Sequence, residues 1–291
     1  MNPALHTASA AERPSPVVAD PDRDGSTFGG AVSSELLKLA ALRTAWVLSV
    51  ITLVLGVLVA GSAAFSYQQF TAGTEFDTGE PLQLASQGMT GSYFAMILLG
   101  ALGVLTITTE YASGSIRSSV TAVPQRSRLL AAKALALAAW TAVVTAAMIL
   151  LSHIVVALIT EPVGMTDVVA DAGIAGMYAA TWASVVLTVL MGFGLGTLLR
   201  SSAGGIVMLA VILFVVQIAL TILWSITNGA DWTQTLLQLE YMSLVGQFTE
   251  AGDGQMPGME PLARWQAGLG ILVWTAVPVL AGWMSFLRRD V

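Results

Sequence analysis

The chain has 291 residues, of which 55% are hydrophobic and only 10% are charged, and its mean hydropathy is +0.77. Soluble domains carry roughly 25% charged residues, so this composition excludes a water-soluble globular protein and predicts lipid as the main solvent. The net charge of −6 argues against a nucleic-acid partner. Because the chain contains no cysteine, disulfides, iron–sulfur clusters and thiolate zinc sites are excluded.

The first 30 residues differ from the rest of the chain. They contain four prolines, four acidic residues and no sustained apolar run. A secretory signal has a basic start and an apolar core of about 7–15 residues, and this stretch has neither. We interpret residues 1–30 as a disordered cytoplasmic tail.

Six apolar windows follow, each long enough to cross about 30 Å of hydrocarbon at about 1.5 Å per residue. We place the spans at about 45–66, 91–109, 134–159, 173–199, 203–226 and 265–287. The sequence therefore predicts an all-α membrane protein in which residues 31–291 form one six-span domain. Residues 31–44 place apolar side chains at helical spacing, which predicts an amphipathic elbow helix on the cytoplasmic membrane surface.

The basic residues are divided very unequally by this topology. Eleven of the 12 Lys and Arg residues fall on the side that carries both termini, and only Arg264 falls on the other side. The positive-inside rule makes the eleven-residue side cytoplasmic. That side then has a net charge of +4, suited to anionic lipid, and the outer side has a net charge of −10.

The cytoplasmic loop between the second and third spans has the most informative pattern. Gly114 and Pro124 bound a stretch in which Ile116, Val120 and Val123 recur at helical spacing. This pattern predicts a short amphipathic helix whose apolar stripe fits a groove in a partner protein. The same pattern equally fits packing of that stripe on the chain's own spans.

The outer segment of about residues 227–264 holds a cluster of apolar residues that is too short and too mixed to span a membrane. It is consistent with an interfacial or partly re-entrant helix, and equally with an ordered surface helix.

Three short motifs resemble the ABC-2 family of exporter permeases. The loop motif comprises Glu110-Tyr111, Gly114-Ser115-Ile116-Arg117, Pro124, Arg126 and Lys133, with Ser115 where the family usually has Thr. The segment Glu35-Leu36-Leu37-Lys38-Leu39 resembles that family's helix before the first span, and Arg288-Arg289-Asp290-Val291 resembles its closing residues. The resemblance covers residues 31–291.

The resemblance implies the membrane half of a transporter. Two permease subunits, as a homodimer or a heterodimer, would pair with two cytosolic ATP-binding subunits, which bind ATP and Mg. This chain would hold no cofactor. The residues agree on one point: the chain has only two lysines, Lys38 and Lys133, and neither follows a glycine, so a phosphate-binding P-loop is absent.

The resemblance also implies roles for loop residues in coupling to the ATPase. Ile116, Val120 and Val123 would be anchors in the ATPase groove and Arg117 a polar contact beside them. Gly114 and Pro124 would set the ends of the helix. The same coupling region includes Glu110, Tyr111, Ser115 and Arg126.

Glu110 lies at the cytoplasmic end of the second span, where a carboxylate can pair with Arg117, Arg126, Lys38 or Arg43. An ordinary interfacial charge at a helix end is an equally good interpretation.

His153 and Gln217 are the polar side chains within spans that are candidates for a substrate path. His153 is the only titratable side chain well inside a span, and such residues are functional hypotheses in membranes. A hydrogen bond between helices is the favoured alternative for His153, because it has no acidic or second histidine neighbour to form a relay or a metal site. Gln217 has the same two interpretations.

The sequence therefore predicts a permease subunit of an ATP-driven exporter in the plasma membrane, without enzymatic activity of its own. The apolar spans indicate an amphipathic or lipophilic substrate. A transporter driven by an ion gradient is an alternative, but such proteins usually place Asp, Glu or Lys near the midplane, and the six windows lack them. A non-transporting scaffold or signalling subunit is a further alternative.

Overall fold

The computed structural model describes residues 27–71, 81–116, 125–160, 171–249 and 261–288. Most of the predicted tail, residues 1–26, lies outside this part of the chain. The first helix begins at Phe28, slightly before the segment predicted as an elbow, because the Thr27 side chain accepts a hydrogen bond from the Gly30 N–H at 3.1 Å and caps the helix.

In the described residues the regular secondary structure is entirely helical. The helices are α1 (Phe28–Ala41), α2 (Arg43–Thr71), α3 (Pro81–Gln87), α4 (Ser92–Ser113), α5 (Arg126–Ile159), α6 (Ala172–Leu199), α7 (Ser202–Ala210), a π-helical turn (Val211–Val215), α8 (Val216–Ile226), α9 (Asp231–Leu239), α10 (Tyr241–Thr249) and α11 (Arg264–Arg288).

Six segments are long and apolar enough to cross a membrane, which confirms the predicted fold class. They are Arg43–Phe70, Leu82–Ser113, Arg126–Ile159, Ala172–Leu199, Ser202–Ile226 and Arg264–Arg288. Several extend beyond the apolar windows, and the third begins at Arg126 rather than near 134. Backbone hydrogen bonding continues a helix past the hydrocarbon boundary, whereas hydropathy marks only the part that lipid surrounds.

The helix α6 lies at the centre of the bundle, between α4 and α11. A Cβ atom at Gly103 would lie under 3.0 Å from the backbone oxygen of Val189, and one at Gly192 would meet the backbone oxygen of Gly100 just as closely. On the opposite side, Gly194 of α6 packs against the backbone of Val279 in α11. Glycine at these positions lets the three helices pack backbone to backbone.

A second group of helices, α1, α2 and α5, lies beside this core. Trp46 of α2 and Trp140 of α5 make an edge-to-face contact with ring centroids 5.1 Å apart, and the Trp140 indole donates to the Ser49 hydroxyl at 3.1 Å. We call the end of the bundle that carries α1 the α1 end, and the opposite end the hairpin end.

The fifth span is the least packed of the six, with 11% of its apolar window buried against 28–61% in the others. Its buried residues, Gly205, Leu209 and Leu213, lie in its first half, and none of Val216–Ile226 is buried. The π-helical turn interrupts the regular helix at its middle, which is a feature often found at functional sites.

The helices α9 and α10 form a hairpin between the fifth and sixth spans. At its tip, the Tyr241 hydroxyl lies 2.7 Å from the hydroxyl of Thr188, near the middle of α6. The Trp274 indole, near the middle of α11, donates to the carbonyl of Leu239 at 3.0 Å. The tip is therefore level with the middle of two spans, which supports the re-entrant interpretation over a surface helix.

Candidate functional site

Four charged side chains meet at the α1 end, and we call them the charge cluster: Glu35, Lys38, Glu110 and Lys133. The Lys133 ammonium is fully buried and donates to Glu35 Oε2 at 2.6 Å and to Glu110 Oε1. Lys38 donates to Glu35 Oε1 at 2.7 Å and lies 3.9 Å from Glu110 Oε1. Two carboxylates thus face two ammonium groups, so the cluster is balanced in charge.

The charge cluster joins both flanks of the loop between the second and third spans. Glu110 immediately precedes the loop between the second and third spans, Lys133 follows that loop, and Glu35 belongs to α1. Taking charges out of water is costly unless each one is paired, so these side chains are held together. Both flanks of the loop are therefore tied to α1 and to each other.

The partners predicted for Glu110 are partly confirmed. Lys38 is confirmed, Arg117 lies outside the described residues, and the main partner, Lys133, was missed. Lys133 was assigned to a loop, but α5 begins at Arg126, so this lysine is already in the third turn of a helix. The sequence signal that could have pointed to Lys133 is its presence in the loop motif that resembles the ABC-2 family.

The described part of the loop ends soon after α4. Gly114 adopts a left-handed conformation with φ of 72° and ends α4, its N–H donating to the Tyr111 carbonyl at 3.3 Å. Ser115 is exposed. The expectation that Ile116 is an exposed anchor is wrong for the isolated chain, because this side chain is 3% exposed and packs into the hydrophobic core.

The remaining predicted loop residues, Arg117, Val120, Val123 and Pro124, lie outside the described residues, and Arg126 is the first residue of α5. The amphipathic loop helix and its ATPase-coupling role therefore stay predictions.

An arginine that the sequence did not single out joins the end of α4 to the start of the fifth span. Arg200 caps α6 in a left-handed conformation with φ of 52°, and its guanidinium lies 4.9 Å from the centre of the Tyr111 ring. Beside it the hydroxyls of Thr108 and Ser202 are 2.7 Å apart. The sequence signal that could have pointed to Arg200 is its position as a single cation between the fourth and fifth apolar windows.

The two candidates for a substrate path have different surroundings. His153 is 2% exposed, and its Nδ1 lies 2.8 Å from the hydroxyl of Tyr178, so it makes a hydrogen bond between α5 and α6. Gln217 is exposed in the middle of the fifth span, and its side chain makes no hydrogen bond to another described residue. A role on the path stays a prediction for both. Within the described ranges, no three His, Asp or Glu side chains come together as a metal site.

A family model described as ABC-2 family transporter protein matches residues 32–291. A comparison with curated proteins found no match. The family match begins within α1 and includes the charge cluster, the loop and all six spans. This chain is therefore a multi-pass membrane protein of the ABC-2 transporter family.

Proposed function

We propose that the chain is the permease subunit of an ABC exporter, driven by ATP that a separate cytosolic subunit hydrolyses. The observation that carries this proposal is the charge cluster, which ties both flanks of the predicted coupling loop to α1. The family membership supports it, because ABC-2 proteins are the membrane components of such transporters.

The coupling step follows from the packing. When the ATPase moves the loop, the ends of α4 and α5 move together with α1, because separating them would leave buried charges unpaired. The motion then passes to α6, against which α4 packs backbone to backbone at Gly103. A displacement at the loop thus reaches the centre of the bundle, because every helix along the way is held by an ion pair or by close backbone packing.

The fifth span supports assembly of two permease copies, as a homodimer or a heterodimer. Its outer half buries no residue within the chain, although it carries Gln217 near the bilayer middle. An amide in hydrocarbon without a hydrogen-bond partner costs several kcal/mol, on the order of the transfer cost from water. A second copy, or a path between two copies, would remove this cost by giving the amide a partner.

The substrate class follows from the same face. Around Gln217 most exposed side chains are apolar, including Val215, Ile218 and Ile222, which are 52%, 59% and 54% exposed, and Thr221 adds one hydroxyl. A path lined by such residues with an occasional amide fits an amphipathic or lipophilic compound and offers nothing to a small ion.

The distribution of charge supports the proposed orientation. Of the eight described Lys and Arg residues, seven lie at the α1 end and only Arg264 lies at the hairpin end. By the positive-inside rule, the α1 end faces the cytoplasm and the cognate ATPase, so both termini are inside.

The test is stimulation of the ATPase in proteoliposomes that contain this chain and its ATP-binding subunit. Gly114→Pro and Ser115→Asp, which change the exposed start of the loop, should abolish both stimulation and transport while the protein remains in the membrane. Gly29→Asp, on the same side of the bundle but away from the loop, should leave both unchanged. If the two loop variants stimulate the ATPase normally, the loop does not couple the subunits.

The alternatives give different results in the same vesicles. A transporter driven by an ion gradient would lose its activity when an ionophore collapses the gradient, with ATP still present. A scaffold or signalling subunit would show no transport of any compound in a broad panel of lipids, drugs and peptides.

A further inference from the structure

An apolar cavity lies between α6, α7 and α11, apart from the charge cluster. Its volume is about 460 Å³, and its walls include Leu198, Leu199, Met208, Ile212, Val277 and Ala281. The only polar group among its lining side chains, the Trp274 indole N–H, is already donated to the carbonyl of Leu239. A cavity without hydrogen-bonding partners does not retain water, so a molecule that fills it would be apolar.

The cavity covers one half of the bundle. It starts at Leu199, the last residue of α6 at the α1 end, and reaches Ile212 and Trp274 near the middle of their spans. It also opens sideways, because Leu199, Met208 and Val277 are 40%, 42% and 63% exposed. A molecule within one leaflet can therefore enter it from the surrounding lipid.

A cation lies below this opening on the same face of α11. Val277, Ala281, Met284 and Arg288 follow at intervals of four, three and four residues, which places them on one helical stripe. Arg288 is exposed and lies about 10 Å beyond Ala281 toward the α1 end. An apolar slot with a cation at its end matches an amphiphile that has an alkyl chain and an anionic headgroup.

We propose that this cavity binds one acyl chain of an anionic phospholipid whose phosphate contacts Arg288. The assignment to the cytoplasmic leaflet rests on the proposed function, which places the α1 end inside. The acyl chain lies along Val277 and Ala281, between the sixth span and the loosely packed fifth span. A bound lipid thus fills a gap that the protein side chains leave open.

The test is photolabelling of the full chain in phosphatidylcholine vesicles that contain a trace of phosphatidylglycerol with a photoactivatable acyl chain. Label should be concentrated on peptides around Met208 and Val277. Because one cationic side chain attracts the anionic headgroup, the phosphatidylglycerol probe should give about fivefold more label there than a matched phosphatidylcholine probe. Equal labelling of the cavity and of the lipid-facing Leu280, or cross-links from the cavity to a second copy, would overturn the proposal.

Matched variants on α11 separate the acyl site from general contact with lipid. Ala281→Trp fills the cavity and should remove the labelling, whereas Ala276→Trp, at an exposed position outside it, should not. Arg288→Gln should abolish the preference for the anionic probe and keep the label in the cavity. Any other pattern contradicts the proposal. If Ala281→Trp fails to fold, the distribution of photolabel along the unaltered chain still decides the question. This measurement does not depend on transport, so a failure of the lipid-binding proposal can be distinguished from a failure of the proposed ATPase coupling.

Discussion

Lys133 shows how one side chain can join three elements of a membrane protein. Its ammonium is buried, and the carboxylates of Glu35 and Glu110 approach it from α1 and α4. The charged state is tolerated there because both acids are near and a further cation, Lys38, balances the second of them. Breaking such a set exposes the full cost of an unpaired buried charge.

We expect Lys133→Met to lower the free energy of unfolding by about 3–5 kcal/mol, since two carboxylates lose their buried partner. The measurement is an SDS titration of the detergent-solubilised protein, followed by helical circular dichroism. Lys38→Met is the matched control. Because the Lys38 side chain is 46% exposed, we expect it to cost about 1 kcal/mol or less. Equal losses from both variants would show that burial of Lys133 is not what stabilises the cluster.

Two charged residues fix the ends of α10 in the hairpin. The Glu240 carboxylate accepts hydrogen bonds from the backbone N–H groups of Met242, at 2.8 Å, and Ser243. Burial raises the pKa of the Glu240 carboxyl above its ordinary value, and the two N–H bonds act in the opposite direction. At the other end, Arg264 donates to the Phe248 carbonyl at 2.8 Å. An acid at the start and a base at the end both complement the helix dipole.

Glu240→Ala should destabilise α10 by about 1 kcal/mol, the usual cost of losing an N-terminal cap. Amide hydrogen exchange read by mass spectrometry should then be several-fold faster in residues 241–249. Asp231→Ala, which removes an exposed acid from the first turn of α9, should leave the exchange of α10 unchanged. Unaltered exchange after Glu240→Ala would mean that tertiary contacts alone hold the helix.

At the scale of elements, the spans follow closely from hydropathy, whereas their packing does not. Apolar windows identify all six spans because lipid imposes its thickness on each helix separately. The pairing of α4 with α6 depends on Gly103 and Gly192 facing each other's backbone, which requires both helices in place. The depth of the hairpin likewise depends on its neighbours. The hairpin tip lies deep because α6 and α11 offer Thr188 and Trp274 as partners.

Gly103→Ala tests the close packing of α4 on α6. The new Cβ would collide with the Val189 backbone, which cannot rotate away, so we expect a loss of about 1–3 kcal/mol in the same SDS titration. Gly29→Ala in α1 meets no atom within 4 Å and should be neutral or stabilising by up to about 1 kcal/mol. A neutral Gly103→Ala would show that the two helices separate without cost.

For the whole molecule, the uneven distribution of charge connects sequence to orientation. The sequence predicted that Arg264 alone lies opposite the other basic residues, and the described helices place it alone at the hairpin end. The charge cluster adds that Glu35 and Glu110 at the α1 end pair with the two lysines of the chain.

The absence of native cysteine makes this orientation directly measurable. In intact cells, a membrane-impermeant maleimide should label Asp231→Cys at the exposed start of α9 and spare Ser115→Cys beyond α4. Permeabilised cells should show labelling of both. The reverse pattern in intact cells would invert the proposed topology and place the α1 end outside.

The sequence by itself determined that the chain lies in a membrane, where its six spans are, which family it resembles and how its basic residues are distributed. Each of these depends on the composition or motifs of short segments and on the thickness of a bilayer. Only the tertiary structure decided that Lys133 pairs with Glu35 and Glu110, that Ile116 is buried, and that the hairpin reaches the middle of the spans. These features join residues far apart in the chain. Burial and pairing are properties of the assembled helices, and neither is encoded in the periodicity of any one segment.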